Sequence, residues 1–385
     1  MKDAGYAIAL FPGDGTGPEV VREGEKVLAA LAEGGPAPWH LTTYAGGGQY
    51  YLRTGKEWEP EGAAAARSSD AILVGAVGWP GATLPNGDLA GRALVLGLRE
   101  GLDLFANVRP CKLYPGVQHR ISGAYREVWA PKDVDLVIVR ENTEGLYTPA
   151  RGRLRRADET EVAIDTRVIT RKGAERVIRY AFEIARHRPR GAPEDGRHRV
   201  TCVDKSNVLE VCRFFRETFD RVGADYPDIE RDYAYVDAFT QWLVRNPEHY
   251  DVVVSTNMMG DIITDLAAVL QGGMGFASGG NIGAEHAMFE PVHGSTPKYA
   301  GKNQVNPFAT FFAVEQMLRW LGERHGDTRL TAQADRRLSA QADRLEGAIT
   351  SVLASGAART YDQGGTVTTS GAGDRVADAV RGSAG

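Results

Sequence analysis

The feature that most constrains this chain is a recurring unit: a short apolar run that ends abruptly in a polar or glycine-rich cluster and gives way to helical periodicity. Ala7–Phe11 stops at Pro12-Gly13-Asp14-Gly15-Thr16-Gly17-Pro18 and is followed by an amphipathic stretch over Glu19–Ala30, the pattern of strand, tight turn and helix. Four more runs stop in a similar way: Ala71–Val77 at Gly78, Val134–Val139 at Arg140-Glu141-Asn142, His198–Val203 at Asp204-Lys205-Ser206-Asn207, and Val252–Ser255 at Thr256-Asn257. Strands alternating with helices predict an α/β fold with a largely parallel or mixed sheet covered on both faces. Ligands of open α/β sheets bind at the carboxyl ends of the strands, and most of these strands deliver polar residues there.

A length of 385 residues allows two lobes, and 43% hydrophobic with 8% aromatic residues suits a packed globular protein. The net charge of −5 argues against nucleic-acid and membrane-surface partners, which demand a basic surface. The clusters Arg153, Arg155, Arg156 and Arg186, Arg188, Arg190 read as solvated faces. Cys111, Cys202 and Cys212 lack metal or redox spacing and read as reduced core thiols. No apolar leader or membrane-spanning run is evident, so the expected location is cytoplasmic. Arg151–Glu161 reads as a protruding arm, Arg186–Arg199 as a surface loop, and Gly382–Gly385 as a fraying tail.

Gly13-Asp14-Gly15-Thr16-Gly17 invites a dinucleotide reading, but G-x-G-x-G is not the G-x-G-x-x-G fingerprint. A tight turn needing positive φ explains the glycines equally well. The strongest local constellation is Asn257-Met258-Met259-Gly260-Asp261-Ile262-Ile263-Thr264-Asp265. Two aspartates four residues apart near a helix start share one face and repel unless a cation lies between them. Oxygen ligands suit Mg2+ or Mn2+. Asp237 sits in the apolar stretch Tyr235-Val236-Asp237-Ala238-Phe239, where an unpaired charge is costly and a metal ion would serve as partner. Lys205 and Tyr147 are candidate proton-transfer groups near such a cation. Arg99, Arg109 and Arg140 are of the type that clamps carboxylates bidentately.

With these motifs in place the chain resembles, over nearly its whole length, the β-decarboxylating dehydrogenase family of isocitrate, 3-isopropylmalate, homoisocitrate and tartrate/D-malate dehydrogenases. The resemblance is carried by GDGTGPEV at 13–20, LDLFANVRP at 102–110, VRENTEGLY at 139–147, DKSNVLE at 204–210, NMMGDIITD at 257–265 and EPVHGSTPKYAGKNQVNP at 290–307. It implies an isocitrate/isopropylmalate dehydrogenase-like fold of two α/β lobes with a mixed parallel and antiparallel sheet, not a Rossmann fold. Residues 1–104 and 273–385 would form a cofactor-side lobe, and 105–272 a dimerisation and metal/substrate lobe with an arm near 148–168.

The resemblance further implies oxidative decarboxylation of a 3-substituted (2R)-malate. Arg99, Arg109 and Arg140 would bind carboxylates, and Asp237, Asp261 and Asp265 would hold Mg2+ or Mn2+. Lys205 would take the hydroxyl proton and Tyr147 would protonate the enol. Asn207, His293, Gly294, Lys298, Tyr299, Val305, Asn306 and Tyr361 would line the cofactor. The partner would be a second copy in a homodimer with shared active sites, Lys205 and Asp237 reaching across. Ala93 and Val95 stand where isocitrate enzymes carry a Ser and an Asn, so the face that Val95 and Leu96 present beside Arg99 looks apolar, which favours an alkyl substituent such as isopropyl. Arg92 and the Arg-Glu-Asn-Thr-Glu-Gly form keep isocitrate, homoisocitrate, tartrate/D-malate or a specialised malate analogue as alternatives. Pro297-Lys298-Tyr299 in place of Pro-Asp-Ile favours NADP over NAD. A non-catalytic regulatory subunit is the competing reading of another class.

Overall fold

The computed structural model describes residues 5–33, 39–324 and 332–383. The chain divides into two compact units: the described residues of Met1–Leu104, Leu113–Val128 and Gln271–Gly385 form the first, and Phe105–Lys112 with Trp129–Leu270 the second. Ala384 and Gly385 of the expected fraying tail lie outside the described residues. No helix among the described residues is long and apolar enough to cross a membrane.

The first unit holds strands in the order Ser278–Ile282, Ala287–Pro291, Ala71–Ala76, Tyr6–Gly13, Trp39–Thr43. The first pair is antiparallel and the rest are parallel. Every residue of Ala71–Ala76 is buried, as expected of a strand covered on both faces. The Gly17–Ala32 helix begins with Pro18, which supplies a pre-set φ where no amide partner is lost, and buries Val20, Val21, Gly24, Val27, Leu28 and Leu31. That spacing fits a single helical stripe facing the core.

The Gly13–Gly17 segment is the tight turn that its glycines allow. Gly13 and Gly15 have φ of 74° and 60°, and a Cβ on either would lie 2.2 Å or less from a backbone carbonyl oxygen. Asp14 is fully buried and accepts the amides of Gly48, Gln49 and Gly78 at 2.7, 2.7 and 2.8 Å. Its carboxylate ties three loops together.

Segment 113–128 belongs to the first unit rather than to the middle lobe, where a single boundary at residue 105 would put it. Its partners explain this. Tyr114 stacks on Phe312 with ring centroids 5.0 Å apart, Gln118 donates its amide to Gln363 Oε1 at 2.8 Å, and the Tyr125 hydroxyl donates to the Tyr361 carbonyl at 3.1 Å.

The second unit holds Glu230–Tyr235, Arg199–Asp204, Val252–Ser255, Asp135–Glu141 and Ala106–Lys112 in that order, parallel except for the last, antiparallel pair. The arm is a hairpin of Arg151–Arg156 and Glu159–Asp165, exposed throughout. Cys111, Cys202 and Cys212 are free and buried, as read from the sequence. Arg188 departs from the solvated-face reading: it reaches Asp251 at 2.6 Å and Asp135 at 2.9 Å. Asp251 is fully buried at the start of a central strand, and a charge there requires a counterion.

Candidate active site

In the second unit, two antiparallel strands and one helix converge. Asn107 lies opposite Arg140, and Arg109 opposite Ile138, so both arginines point from the same face of the sheet. The Asn257–Leu270 helix packs on these strands. Gly260 permits the approach, since a Cβ there would lie 2.8 Å from Arg140 Cβ and Cγ.

Arg140 is 1% exposed. Its Nε and Nη2 donate to Asn257 Oδ1 at 2.9 and 2.7 Å, and its Nη1 donates to Asp261 Oδ1. The Tyr147 hydroxyl donates to the other oxygen of Asp261 at 2.8 Å, with the Arg140 guanidinium 5.5 Å from the Tyr147 ring centre. Arg109 donates to Asn107 Oδ1 and Thr264 Oγ1 at 2.8 and 2.7 Å and lies 3.6 Å from Asp261 and 3.5 Å from Asp265. Burial pushes the Asp265 carboxyl up, Arg109 opposes this, and the Asp261 carboxylate adds to it.

The loop bearing Tyr147 is fixed by two glutamates. Glu141 accepts the amides of Thr143 and Glu144 at 2.8 and 3.0 Å. Glu144 accepts the amide and hydroxyl of Thr170 at 2.9 and 2.8 Å, and its carbonyl accepts Asn257 Nδ2 at 2.9 Å. Asn257 thus links Arg140 to the Tyr147 loop, a role that only its place just past the Val252–Ser255 strand hints at in the sequence.

Asp237 differs from its sequence reading. It is exposed in the first turn of the Val236–Arg245 helix, whose buried residues are Phe239 and Leu243. Phe239 turns inward because the segment is helical, leaving Tyr235 and the Asp237 carboxylate exposed. Its partner is Lys205, at 2.6 Å, and that hydrogen bond holds the Asp237 carboxyl below its ordinary range. Asn207 is exposed in the turn that follows Lys205. Among the described residues, no three His, Cys, Asp or Glu side chains are grouped to hold a metal ion. Asp261 and Asp265 on one helical face fit a hard cation as two oxygen ligands, so a complete ligand set needs a further donor.

In the first unit, Arg99 is 7% exposed and donates through Nη2 to Glu290 Oε1 at 2.8 Å. That Glu290 oxygen also accepts Asn281 Nδ2 at 2.8 Å. Arg99 Nε is buried with no hydrogen-bond partner among the described residues. The segment before Arg99 is not the regular α-helix expected from the spacing of 92, 95, 96 and 99: Ala93–Gly97 forms a π-helical turn and Leu98–Gly101 an α-helical one. Leu94 and Leu98 are buried, while Val95 and Leu96 are half-buried. Arg92 faces Asp88 at 3.6 Å.

The cofactor candidates of this unit fall into two groups. Lys298 is exposed, its Nζ 5.5 Å above the Tyr299 ring, and Tyr299 lies 5.1 Å from the Tyr361 ring. Burial and the Tyr299 phenol push the Tyr361 hydroxyl up to about 12. Beyond these, His293 Nε2 is buried without a partner among the described residues, and desolvation pulls the imidazole down toward its neutral form. Gly294 is exposed and has nothing within 4 Å of the place of a Cβ. Val305 and Asn306 are buried. Asn306 accepts the Phe308 amide at 2.9 Å and donates to Asp362 at 3.0 Å, which gives it a helix-capping role as well. An orphaned imidazole nitrogen next in sequence to an open glycine fits a polar cofactor, and the exposed Lys298 cation fits a phosphate.

The family model described as isocitrate/isopropylmalate dehydrogenase matches residues 7–376. A 3-isopropylmalate dehydrogenase of Leifsonia xyli subsp. xyli is 40% identical over 96% of this chain and 97% of its own. That of Thermobifida fusca is 44% identical over 82% and 86%. The crystal structure of isocitrate dehydrogenase from Methylococcus capsulatus superposes with a TM-score of 0.82 at 34% identity, covering 98% of this chain and 99% of the other.

Proposed function

The chain belongs to the isocitrate/isopropylmalate dehydrogenase family, and we propose that it oxidises and decarboxylates a (2R)-malate bearing an alkyl group at C3, with 3-isopropylmalate the best fit. It is a β-decarboxylating dehydrogenase, and enzymes of this family need NAD(P) and a divalent metal ion. The observation that carries the substrate is near-full-length identity of 40% to a 3-isopropylmalate dehydrogenase. The half-buried apolar pair Val95 and Leu96 in the segment before Arg99 supports it. Arg92 is engaged with Asp88, which weakens its claim on a third carboxylate.

On this reading Arg99, Arg109 and Arg140 clamp the malate carboxylates, and the orphaned Arg99 Nε gives one of them a donor. Asp261 and Asp265 hold Mg2+ or Mn2+, with Asp237 supplied by a second copy of the chain. The bound ion supplies Lewis-acid polarisation of the substrate oxygens. Lys205 takes the C2 hydroxyl proton; NAD(P), when bound, would supply the hydride acceptor for oxidation at C2, and the β-keto acid so formed loses CO2. Tyr147, aimed by its hydrogen bond to Asp261, returns a proton to C3 of the enol. Lys205 and Asp237, paired in one chain, would reach the other copy's site together. The arm supports such a homodimer. Leu154, Val162 and Ile164 share one face of the exposed ribbon, and two strands alone are marginal in water.

For the cofactor, Lys298 with Tyr299 and Tyr361 favours NADP, since a cation attracts the 2′-phosphate that an aspartate repels. Asn207, His293, Gly294, Val305 and Asn306 complete the proposed contacts. The test is an initial-rate matrix with Mg2+: isopropylmalate, isocitrate, homoisocitrate, malate and tartrate, each with NAD and NADP. Turnover of isopropylmalate well above isocitrate is expected. Preferred isocitrate turnover overturns the alkyl reading, and a chain inert alone that activates a partner chain is a regulatory subunit.

A further inference from the structure

The helix that carries Val95, Leu96 and Arg99 begins without a cap of its own, since Arg92 makes no side-chain hydrogen bond to the first turn. First-turn amides of a helix have no intrahelical acceptor and must find one elsewhere. Here the amide of the first helical residue, and that of Gly91 just before the cap, are taken by a residue distant in sequence. One oxygen of Glu57 accepts the Gly91 amide at 2.8 Å and the Ala93 amide at 3.2 Å. The Glu57 carbonyl accepts the Gly47 amide at 2.8 Å, and a Cβ on Gly91 would lie 3.2 Å from Gly47 Cα. The next residue, Trp58, packs with Val95 against the core that buries Leu94 and Leu98.

The opposite end of the same loop is held by Asp14, which accepts the Gly78 amide. Segment 46–49 touches both anchors, through Gly48 and Gln49 to Asp14 and through Gly47 to Glu57. Between them Gly81 and Gly87 adopt positive φ with open space around them, and Leu89 is 65% exposed. The π-helical turn at Ala93–Gly97 follows i to i+5 bonding, so regular α-helical bonding does not set the phase of the side chains after it. That phase depends on how the first turn is fastened.

We infer that Glu57 is a positioning residue for substrate discrimination: by holding the first turn of residues 93–101, it sets the rotation at which Val95 and Leu96 meet the C3 substituent. The inference rests on the reading of this chain as a 3-alkylmalate dehydrogenase. Glu57 acts through the helix, so its removal falls on the substituent-dependent part of binding and spares the chemical step.

The experiment compares 3-isopropylmalate with malate lacking the C3 group, using the full chain with Mg2+ and its preferred cofactor. Glu57→Ala is expected to raise KM for isopropylmalate about tenfold, as loss of two hydrogen bonds to a charged acceptor allows, with kcat within about twofold. The KM of unsubstituted malate, or its inhibition constant where it is not turned over, should change less than about twofold. Glu57→Gln keeps the accepting oxygen and should restore the isopropylmalate KM to within about threefold of the parent. Equal losses on both substrates, or none on either, overturn the inference. Where Glu57→Ala does not fold, Glu57→Asp carries the test: one methylene shorter, it should show the same substituent-selective rise. A parent chain inactive on every alkylmalate refutes the underlying substrate reading instead, which is a separable outcome.

Discussion

Two helices carry residues assigned to the site, one to the metal ion and one to the substrate, and they are held in opposite ways. The Asn257–Leu270 helix is fastened from within its own site: Arg140 donates to Asn257 and Asp261, Tyr147 to Asp261, and Arg109 to Thr264. The helical segment 93–101 is fastened from outside, by Glu57 at its first turn and by Glu290 at Arg99. Val95 and Leu96 meet their surroundings through shape alone. Groups that move protons or hold charge need directed bonds, each of which constrains its neighbours. A surface that sorts alkyl groups needs only volume and position, and tolerates change.

The largest effect expected from this contrast is at the directed site. Lys205→Met and Asp261→Asn should each lower kcat by about 10^3-fold, in the range for removing an acid–base group or a metal ligand. Co-expressing the two variants sharpens the comparison, because in the proposed homodimer Lys205 and Asp261 would come from different copies at any one shared site. Random pairing leaves about a quarter of the sites intact, so activity should return to about a quarter of the parent value. No recovery in mixed assemblies would mean that each chain works with its own Lys205.

The same contrast explains what the sequence disclosed. The strand expected at Val252–Ser255 is observed with those bounds, and Asp135–Glu141 and Arg199–Asp204 fall within two residues of expectation at either end. Apolar runs and their polar stops are local signals. Asp261 and Asp265 were legible because one turn of helix brings them together. Asp237 reads as lying in an apolar setting, because five residues alone do not show that Val236 starts a helix whose far side is solvent. The roles of Glu57, Glu290, Asn257 and the buried Asp14 are not legible in the sequence because their partners are distant along the chain. Periodicity shows which way a side chain faces and says nothing of what it will meet. The π-helical turn at 93–97 was missed because the 92, 95, 96, 99 spacing assumes an unbroken α-helical ladder.

A smaller effect is expected where shape alone acts. Leu96→Ser should cut kcat/KM for isopropylmalate roughly thirtyfold, the scale of lost methylene contacts in an apolar pocket. Its kcat/KM for unsubstituted malate should stay within about threefold. A matching loss on both substrates would break the comparison, because it would make Leu96 part of the directed machinery rather than a wall of the pocket.

The smallest effect belongs to the cofactor candidates around Lys298, which is exposed with its Nζ 5.5 Å above the Tyr299 ring. Exposed charge pairs contribute about 1 kcal/mol or less, and a phosphate dianion facing a reversed charge raises that modestly. Lys298→Asp should therefore lower kcat/KM with NADP about tenfold and leave NAD within about twofold, measured at saturating isopropylmalate. Because Lys298 is not among the groups assigned to proton transfer or to the metal ion, kcat with either cofactor should hold. A fall in kcat as large as the change in cofactor preference would show that the two regions are coupled, and that cofactor choice is not set by an exposed charge alone.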